Sequence, residues 1–377
     1  MKFRSGFVSI LGRPNAGKST LMNSLVGEKV AIVTAKPQTT RNRIHGIVEV
    51  PGRKKQRPPA QIVFVDTPGV HKPNTTLDKR MMQEVHDALE TRDAVLLMVD
   101  ATRRLDLPGL DHEAEEGESP VLGLTITSAD GKQVTHSAPK RPSGREGQSE
   151  DEFVFDLLKK LDCPVFLLLN KIDLIERAKL LPLIQQLSSL YSFAEVIPIS
   201  ARKKDGLDRL IDRLVAVLPE GERYFPKEQF TDQPERFLVA ELIREKILTE
   251  TGEEVPYASA VVIERFEEPS EEELAKAAKA AAKDPANAKL PVTKIAAAIY
   301  CERSGQKAIL IGKGGAKLKA IGTAARKEIE SLLGTRVFME LHVIVRDGWR
   351  EQRGFIETLD WRNQLEHLIP KTQDEEE

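Results

Sequence analysis

The chain has 377 residues, 40% of them hydrophobic, with a formal net charge of −2; that length fits two domains with insertions better than one. The near-zero average says nothing about partners, because opposite local excesses cancel in the sum. Only two cysteines, Cys163 and Cys301, are present, which excludes a disulfide framework and a CxxC metal spacing. No run nears the roughly 18 apolar residues of a membrane span, and the start "MKFRSGFVSILGRPN" lacks a signal-peptide core. A soluble cytoplasmic protein is predicted, with peripheral membrane contact left open.

The first part alternates apolar runs with amphipathic stretches, the rhythm of an α/β domain. Strands are predicted at residues 7–11, 44–50, 62–66, 94–100, 165–170 and 195–199, and helices after Lys18, Leu77 and Gly206. The second and third strands flank "PGRKKQRPPA", an exposed basic hairpin tip whose second reading is RNA contact. Residues 103–150 interrupt the rhythm as a polar insertion. Within them Asp130-Gly131 predicts a hairpin, and the remainder is predicted to be mobile. The first domain is assigned to residues 1–219 and a linker to 220–232.

A second domain is assigned to residues 233–369. Asp232 is predicted to cap its first helix, with Pro234 in the first turn and Glu235 at the capping-box position. A strand follows at 258–266. Residues 269–291 form an Ala/Lys-rich insertion whose glutamates lead and lysines trail, predicting a solvated helix. Then come a strand at 295–303, the loop "IGKGG", a helix from about Ala316, a strand at 337–345, and an amphipathic helix through Trp361 and Leu365. Residues 370–377 read as a disordered acidic tail.

Gly12-Arg13-Pro14-Asn15-Ala16-Gly17-Lys18-Ser19 matches GxxxxGK[ST] between a strand and a helix, with Thr20 following. Such a loop wraps a polyphosphate with backbone N–H groups and a helix N-terminus. Lys18 can reach the β- and γ-phosphates, and the Ser19 hydroxyl can ligate Mg²⁺. Asp66-Thr67-Pro68-Gly69 ends the third strand, where Asp66 can hold Mg²⁺ and the Gly69 N–H can touch the γ-phosphate. Asn170-Lys171-Ile172-Asp173 ends another strand. Asp173 can accept the N–H donors of guanine and faces the lone pair of adenine, a discrimination worth about 10⁴–10⁵. Ser200-Ala201 lies where a backbone N–H could meet guanine O6.

In this order the motifs resemble those of the translation-factor-like GTPases. The resemblance implies that "PQTTR" is the remaining switch element, with Thr40 the Mg²⁺ and γ-phosphate ligand and Thr39 the alternative. One departure matters. The residue after DxxG, a water-positioning glutamine in Ras-like proteins, is Val70 here, which implies slow intrinsic hydrolysis. No general base is evident, so catalysis is assigned to Lys18, Thr40 and Asn15. Asn15 is a candidate to hold a K⁺ ion against the phosphates, as in related GTPases with asparagine there.

Gly312-Lys313-Gly314-Gly315 satisfies neither the Walker pattern nor GxGxxG, but it matches GxxG. It is read as lying between a strand ending "AILI" and the next helix. A GxxG loop clamps about four nucleotides of backbone. From Arg303 to Lys327 the basic residues, Lys313, Lys317 and Lys319 among them, have no Asp or Glu between them. A one-sign stretch around a glycine loop is an electrostatic footprint for phosphate backbone. Ile309, Ile311, Leu318 and Ile321 are expected partly in the core and partly as a groove wall.

With "DTPGV", "RFLVAELIREKIL", "IGKGGAKLKAIGTAARKEIE" and "VIVRDGW", nearly the whole chain resembles the Era-like family of GTPases. The resemblance implies an α/β P-loop GTPase domain, with a mixed, mostly parallel sheet and helices on both faces, plus an α+β type II KH domain. It implies a monomer that cycles between GTP and GDP, binds the 3′ end of small-subunit rRNA and matures the small ribosomal subunit. It also implies a cytoplasmic protein with peripheral inner-membrane contact. Two rival classes remain: a constitutive RNA chaperone with a structural nucleotide pocket, and a switch whose basic face meets anionic membrane.

Overall fold

The computed structural model describes residues 2–54, 57–103, 105–107, 125–127, 133–135, 149–252, 254–283 and 290–363. The first domain comprises β1 (Arg4–Gly12), α1 (Lys18–Val26), β2 (Ile44–Val50), β3 (Ala60–Asp66), α2 (Thr76–Glu90), β4 (Ala94–Asp100), β5 (Thr125–Thr127), β6 (Gln133–Thr135), α3 (Glu150–Leu158), β7 (Val165–Asn170), α4 (Leu180–Leu190), β8 (Glu195–Pro198) and α5 (Leu207–Val217). The second comprises α6 (Glu235–Glu250), β9 (Ala260–Glu267), α7 (Glu271–Lys283), β10 (Val292–Cys301), α8 (Ser304–Ile311), α9 (Ala316–Leu333), β11 (Arg336–Val345) and α10 (Arg353–Thr358).

The main sheet has the order β2-β3-β1-β4-β7-β8. Only β2 runs antiparallel to its neighbour; the remaining pairs are parallel. β4, "AVLLMVD", is buried along its whole length, as a strand covered on both faces must be. Its residues alternate between two cores. Leu96 and Met98 join Leu21 of α1 and Leu210 of α5, while Leu97 joins Val85 of α2 and Leu158 of α3. This stack brings the C-terminal ends of β1, β3, β4 and β7 to one edge, where an open α/β sheet holds its ligand.

The second domain has the sheet order β11-β10-β9, with β11 parallel and β9 antiparallel to β10. Ile243, Ile247, Ile321 and Ile329 from α6 and α9 cover the β10 residues Ile295, Ala297 and Ile299. α7 lies between β9 and β10 and carries the solvated helix read from the sequence, its Leu274 still 45% exposed.

The domains are packed together. Leu77 and Met81 of α2 join Ala260, Trp349, Phe355 and Ile356 in one buried cluster. Trp349 is fully buried and its indole N–H donates to the Ala258 carbonyl at 2.9 Å. The linker is fastened too: Phe230 accepts from the Ile47 amide at 2.9 Å, and Gln61 Oε1 accepts from the Tyr224 and Phe225 amides.

Two expectations fail. The run "AILI" is helical, the end of α8, so the glycine loop lies between two helices. A short apolar run cannot separate strand from buried helix by itself; here Gln306 Oε1 accepts from the Arg303 amide at 3.1 Å and starts a helix that buries Leu310 and leaves Ile309 47% exposed. Asp232 does not cap α6. Pro234 holds that position without a side-chain cap, and Asp232 Oδ2 instead meets His45 Nδ1 at 2.7 Å. β5 and β6 pair antiparallel, while the expected turn at 130–131 between them lies outside the described residues. Leu365, the acidic tail and the rest of the 103–150 mobility expectation lie outside the described residues, apart from residues 103, 105–107, 149 and 150.

Candidate nucleotide and RNA sites

The first glycine loop crosses from β1 to α1 at the ligand edge of the sheet. Gly17 stands at φ +100, and a Cβ there would lie 2.3 Å from the Asn170 amide nitrogen, so both conformation and space demand glycine. Lys18 is buried, and its ammonium donates to the Gly12 and Arg13 carbonyls at 3.0 and 3.1 Å. Burial lowers its pKa to about 8, partly offset by the Asp66 carboxylate.

Ser19, Thr40 and Asp66 converge. The Ser19 hydroxyl donates to Asp66 Oδ2 at 2.7 Å and lies 2.9 Å from Thr40 Oγ1, which donates to the same Oδ2 at 3.3 Å. Asp66 Oδ1 is buried without a partner among the described residues. Burial raises the Asp66 pKa, while Lys18 and the two hydroxyls draw it back. Thr39 is turned away: its hydroxyl donates to the Lys36 carbonyl at 2.7 Å. Of the two threonines, Thr40 is the one whose hydroxyl meets Ser19 and Asp66.

A cleft bounded by Pro14, Asn15, Lys18, Thr20, Thr40 and Gly69 lies over this group. The Asn15 amide donates to the Ala35 carbonyl at 2.9 Å. The Arg13 guanidinium faces away and pairs with Glu150 and Asp151, so only its backbone belongs to the loop. Thr67 is buried and its hydroxyl donates to the Ile10 carbonyl, which leaves Thr67 and Pro68 as backbone positions. Val70 is fully buried and its amide donates to Gly12, so it cannot aim a water.

The other two motifs are stitched to the loop. The Asn170 amide donates to the Ala16 carbonyl at 2.8 Å and accepts from the Ala201 N–H at 3.0 Å. That Ala201 N–H, expected to face a guanine oxygen, thus braces Asn170 in this structure. The Ser200 hydroxyl donates to Asp173 Oδ1 at 2.7 Å, and this bond lowers the Asp173 pKa. The Lys171 ammonium is 2.6 Å from Asp100 Oδ2. Asp100 and the buried His71, bonded to the Gly69 carbonyl and to Asp78, had no role in the sequence reading. Asp100 was findable as an acid at a strand end; His71 was not, because no sequence motif ties it to Asp78.

Around Gly312, Gly314 and Gly315, all at positive φ, Lys313 and Lys319 are exposed. Lys317 is half-buried, its ammonium donating to the Glu250 carbonyl at the end of α6. Ile321 is fully buried, Ile311 and Leu318 are half-buried, and Ile309 is largely exposed.

The largest surprise lies in the loop between α1 and β2, which is bound to the second domain. Arg41, on one side of Thr40, donates to the Ser259 and Tyr257 carbonyls at 2.8 and 3.1 Å. Thr39, on the other side, accepts from the Arg244 guanidinium of α6. The Val33 amide donates to Glu245 at 3.0 Å, and Lys29 pairs with Glu245 and with Glu328 of α9 at 2.6 Å each. Nothing in local sequence pattern marks these contacts.

A Walker loop stitched to DxxG and NKxD elements, followed by a KH fold, defines a P-loop GTPase with a KH domain. The family profile "50S ribosome-binding GTPase" matches residues 7–124 and that of the KH domain residues 254–350. GTPase Era of Geobacter metallireducens is 41% identical over 359 residues, 95% of this chain and 98% of its own. GTPase Era of Heliobacterium modesticaldum is 40% identical over 365 residues, 97% and 99% of the two chains. A crystal structure of a variant of Aquifex aeolicus Era bound to GDP.AlF4⁻ matches with TM-score 0.73 at 34% identity, over 95% of this chain and 99% of that one. A structure of Era in complex with MgGDPNP and nucleotides 1506–1542 of 16S ribosomal RNA matches with TM-score 0.73 at 35% identity and the same coverage. The chain belongs to the Era family of GTPases.

Proposed function

We propose that this chain is a GTP-controlled RNA switch in assembly of the small ribosomal subunit, with its KH domain on the 3′ end of small-subunit rRNA. The solved Era complex with 16S rRNA supports the partner. The observation that carries the switch is the position of Thr40, held between two residues that are each bonded to the KH domain.

In this reading the backbone from Gly12 to Ser19 and the Lys18 ammonium enclose the phosphates, with Thr20 one residue further along α1. Ser19, Thr40 and Asp66 are hard oxygen donors, and Asp66 Oδ1 is buried with no partner among the described residues; the group fits Mg²⁺. When bound, Mg²⁺ neutralises charge developing on the phosphates. Asp173 reads guanine, while Asn170, Ser200 and Ala201 hold its surroundings. Asn15 keeps its carbonyl oxygen for a K⁺ ion. Arg13, Thr67, Pro68 and Gly69 contribute backbone.

A γ-phosphate draws Thr40 and Gly69 inward, and hydrolysis releases them. Because Thr40 cannot move without Thr39 and Arg41, the same motion loosens the KH domain. Lys29 extends the connection to α9, the helix that opens at the GxxG loop. Gly312, Gly314 and Gly315 pass the RNA backbone, and Lys313, Lys317 and Lys319 supply attraction. The described residues hold no helix long and apolar enough to cross a membrane; the reading includes a monomer with peripheral membrane contact. Crosslinking to total RNA, with a GTP analogue or GDP present, tests the proposal. Enrichment of the small-subunit rRNA 3′ end that depends on the nucleotide is expected; an even spread over all RNA contradicts it.

A further inference from the structure

A second cleft opens between the domains, away from the glycine loops. Four guanidiniums line it, those of Arg41, Arg80, Arg236 and Arg244, against a single acid, Glu241. Glu241 is already taken, bonded to two nitrogens of Arg244 at 2.8 and 2.6 Å. Arg80 is held by Glu84 and Asp360. Arg41 and Arg236 differ: among the described residues neither is paired with a carboxylate, and both donate only to backbone carbonyls. Arg41 Nε and Arg244 Nη1 are buried without partners. Such groups are costly to bury unpaired.

The electrostatics agree with the geometry. Burial and then the neighbouring Arg244 charge lower the Arg41 pKa to about 9, with Arg350 acting in the same direction and Glu241 against it. Asp78 also opposes the shift, and along the cleft wall itself four guanidiniums meet one carboxylate. Apart from Asn42, the rest of the wall is apolar, with Phe237, Ile263, Ile356 and Leu359 lining it.

We propose that this cleft is a second ligand site, which binds a small organic anion carrying a phosphate or carboxylate head and a compact apolar body. Arg236 and Arg41 clasp the head, a pairing that guanidinium geometry favours, and the apolar wall takes the body. The occupant touches both domains one residue from Thr40, so it fixes their relative position.

The test uses the full chain preloaded with GDP and Mg²⁺, which fills the first glycine loop and rests on the GTPase reading; failure to load would count against that reading and not against the cleft. Phenyl phosphate is titrated by calorimetry at low ionic strength, beside inorganic phosphate. One saturable site per chain is expected, with phenyl phosphate the tighter ligand. Arg236→Gln should weaken it at least about tenfold, Arg236→Lys should retain part of the binding, and Gly314→Asp at the RNA loop should leave it unchanged. No saturable binding, equal affinity for inorganic phosphate, or a loss in Gly314→Asp with none in the Arg236 variants would overturn the proposal.

Discussion

The Arg41 guanidinium donates to the Ser259 carbonyl at 2.8 Å across the junction between the two domains. Arg41 follows Thr40, whose hydroxyl touches Asp66 and Ser19. One peptide bond thus separates a residue of the Ser19–Thr40–Asp66 cluster from one bonded to the KH domain. A hydrogen bond to a charged group contributes about 1.5–3 kcal/mol, and Arg41 makes two. That is enough to bias a domain arrangement yet small enough for a nucleotide to reverse.

Lys18 predicts a pH dependence of nucleotide binding. Its pKa is lowered to about 8 by burial in the free protein, and phosphates bound beside it restore the charged form. Below about pH 8 affinity should be flat, because the free protein already carries the proton. Above it, each unit should cost up to about tenfold, with one proton taken up on binding. Calorimetry at pH 8.5 in buffers of different ionisation enthalpy reads that proton. Lys18→Ala should bind GTP at least about a hundredfold more weakly and show no uptake at this step.

In the proposed function Asp173 sets the base. Its carboxylate is kept ionised by the Ser200 hydroxyl, ready to accept two guanine donors. Asp173→Asn should lower GTP affinity by about 10²–10⁴ and raise that for xanthosine triphosphate. Competition between the two nucleotides measures this; an unchanged preference removes Asp173 from the role.

Hydrolysis should depend on the monovalent cation. Val70 is buried and its amide is bonded to Gly12, so no side chain there positions water. The Asn15 amide is turned to Ala35, and in the proposed function its carbonyl oxygen is the ion ligand. GTP turnover should be several times faster in K⁺ than in Na⁺, and Asn15→Ala should remove the difference. Equal rates in both salts would exclude the ion.

RNA binding should be salt-dependent through the exposed Lys313 and Lys319. Each phosphate neutralised on a single strand contributes about −0.7 to the slope of log affinity against log salt. Lys313→Glu should flatten that slope by roughly one such step. Gly314→Asp adds a carboxylate at the backbone path and should abolish most binding while GTP turnover persists.

Much of this was legible in the sequence. β2, β4 and β7 have the predicted bounds, β4 and β7 because their continuous apolar runs end at motif or strand-end residues. The Walker, DxxG and NKxD elements meet because each ends a parallel strand. Where the reading failed, tertiary contacts decided. "AILI" follows helix period only once Leu310 has a core to enter. Asp232 prefers His45, a partner 187 residues away. α3 and α4 escaped notice, α3 because a polar insertion precedes it. The bonds of Arg41 and Arg244 across the domain junction carry no local signature.

The central claim is that the nucleotide on the first loop controls the RNA on the second. The direct measurement is the affinity of a small-subunit rRNA 3′-end fragment for the wild-type chain and Arg41→Ala, each with a non-hydrolysable GTP analogue and with GDP. A coupling of about 1–3 kcal/mol predicts a 5- to 150-fold difference between nucleotides in the wild type and a ratio near one in the variant. Equal wild-type affinity with both nucleotides would contradict the account.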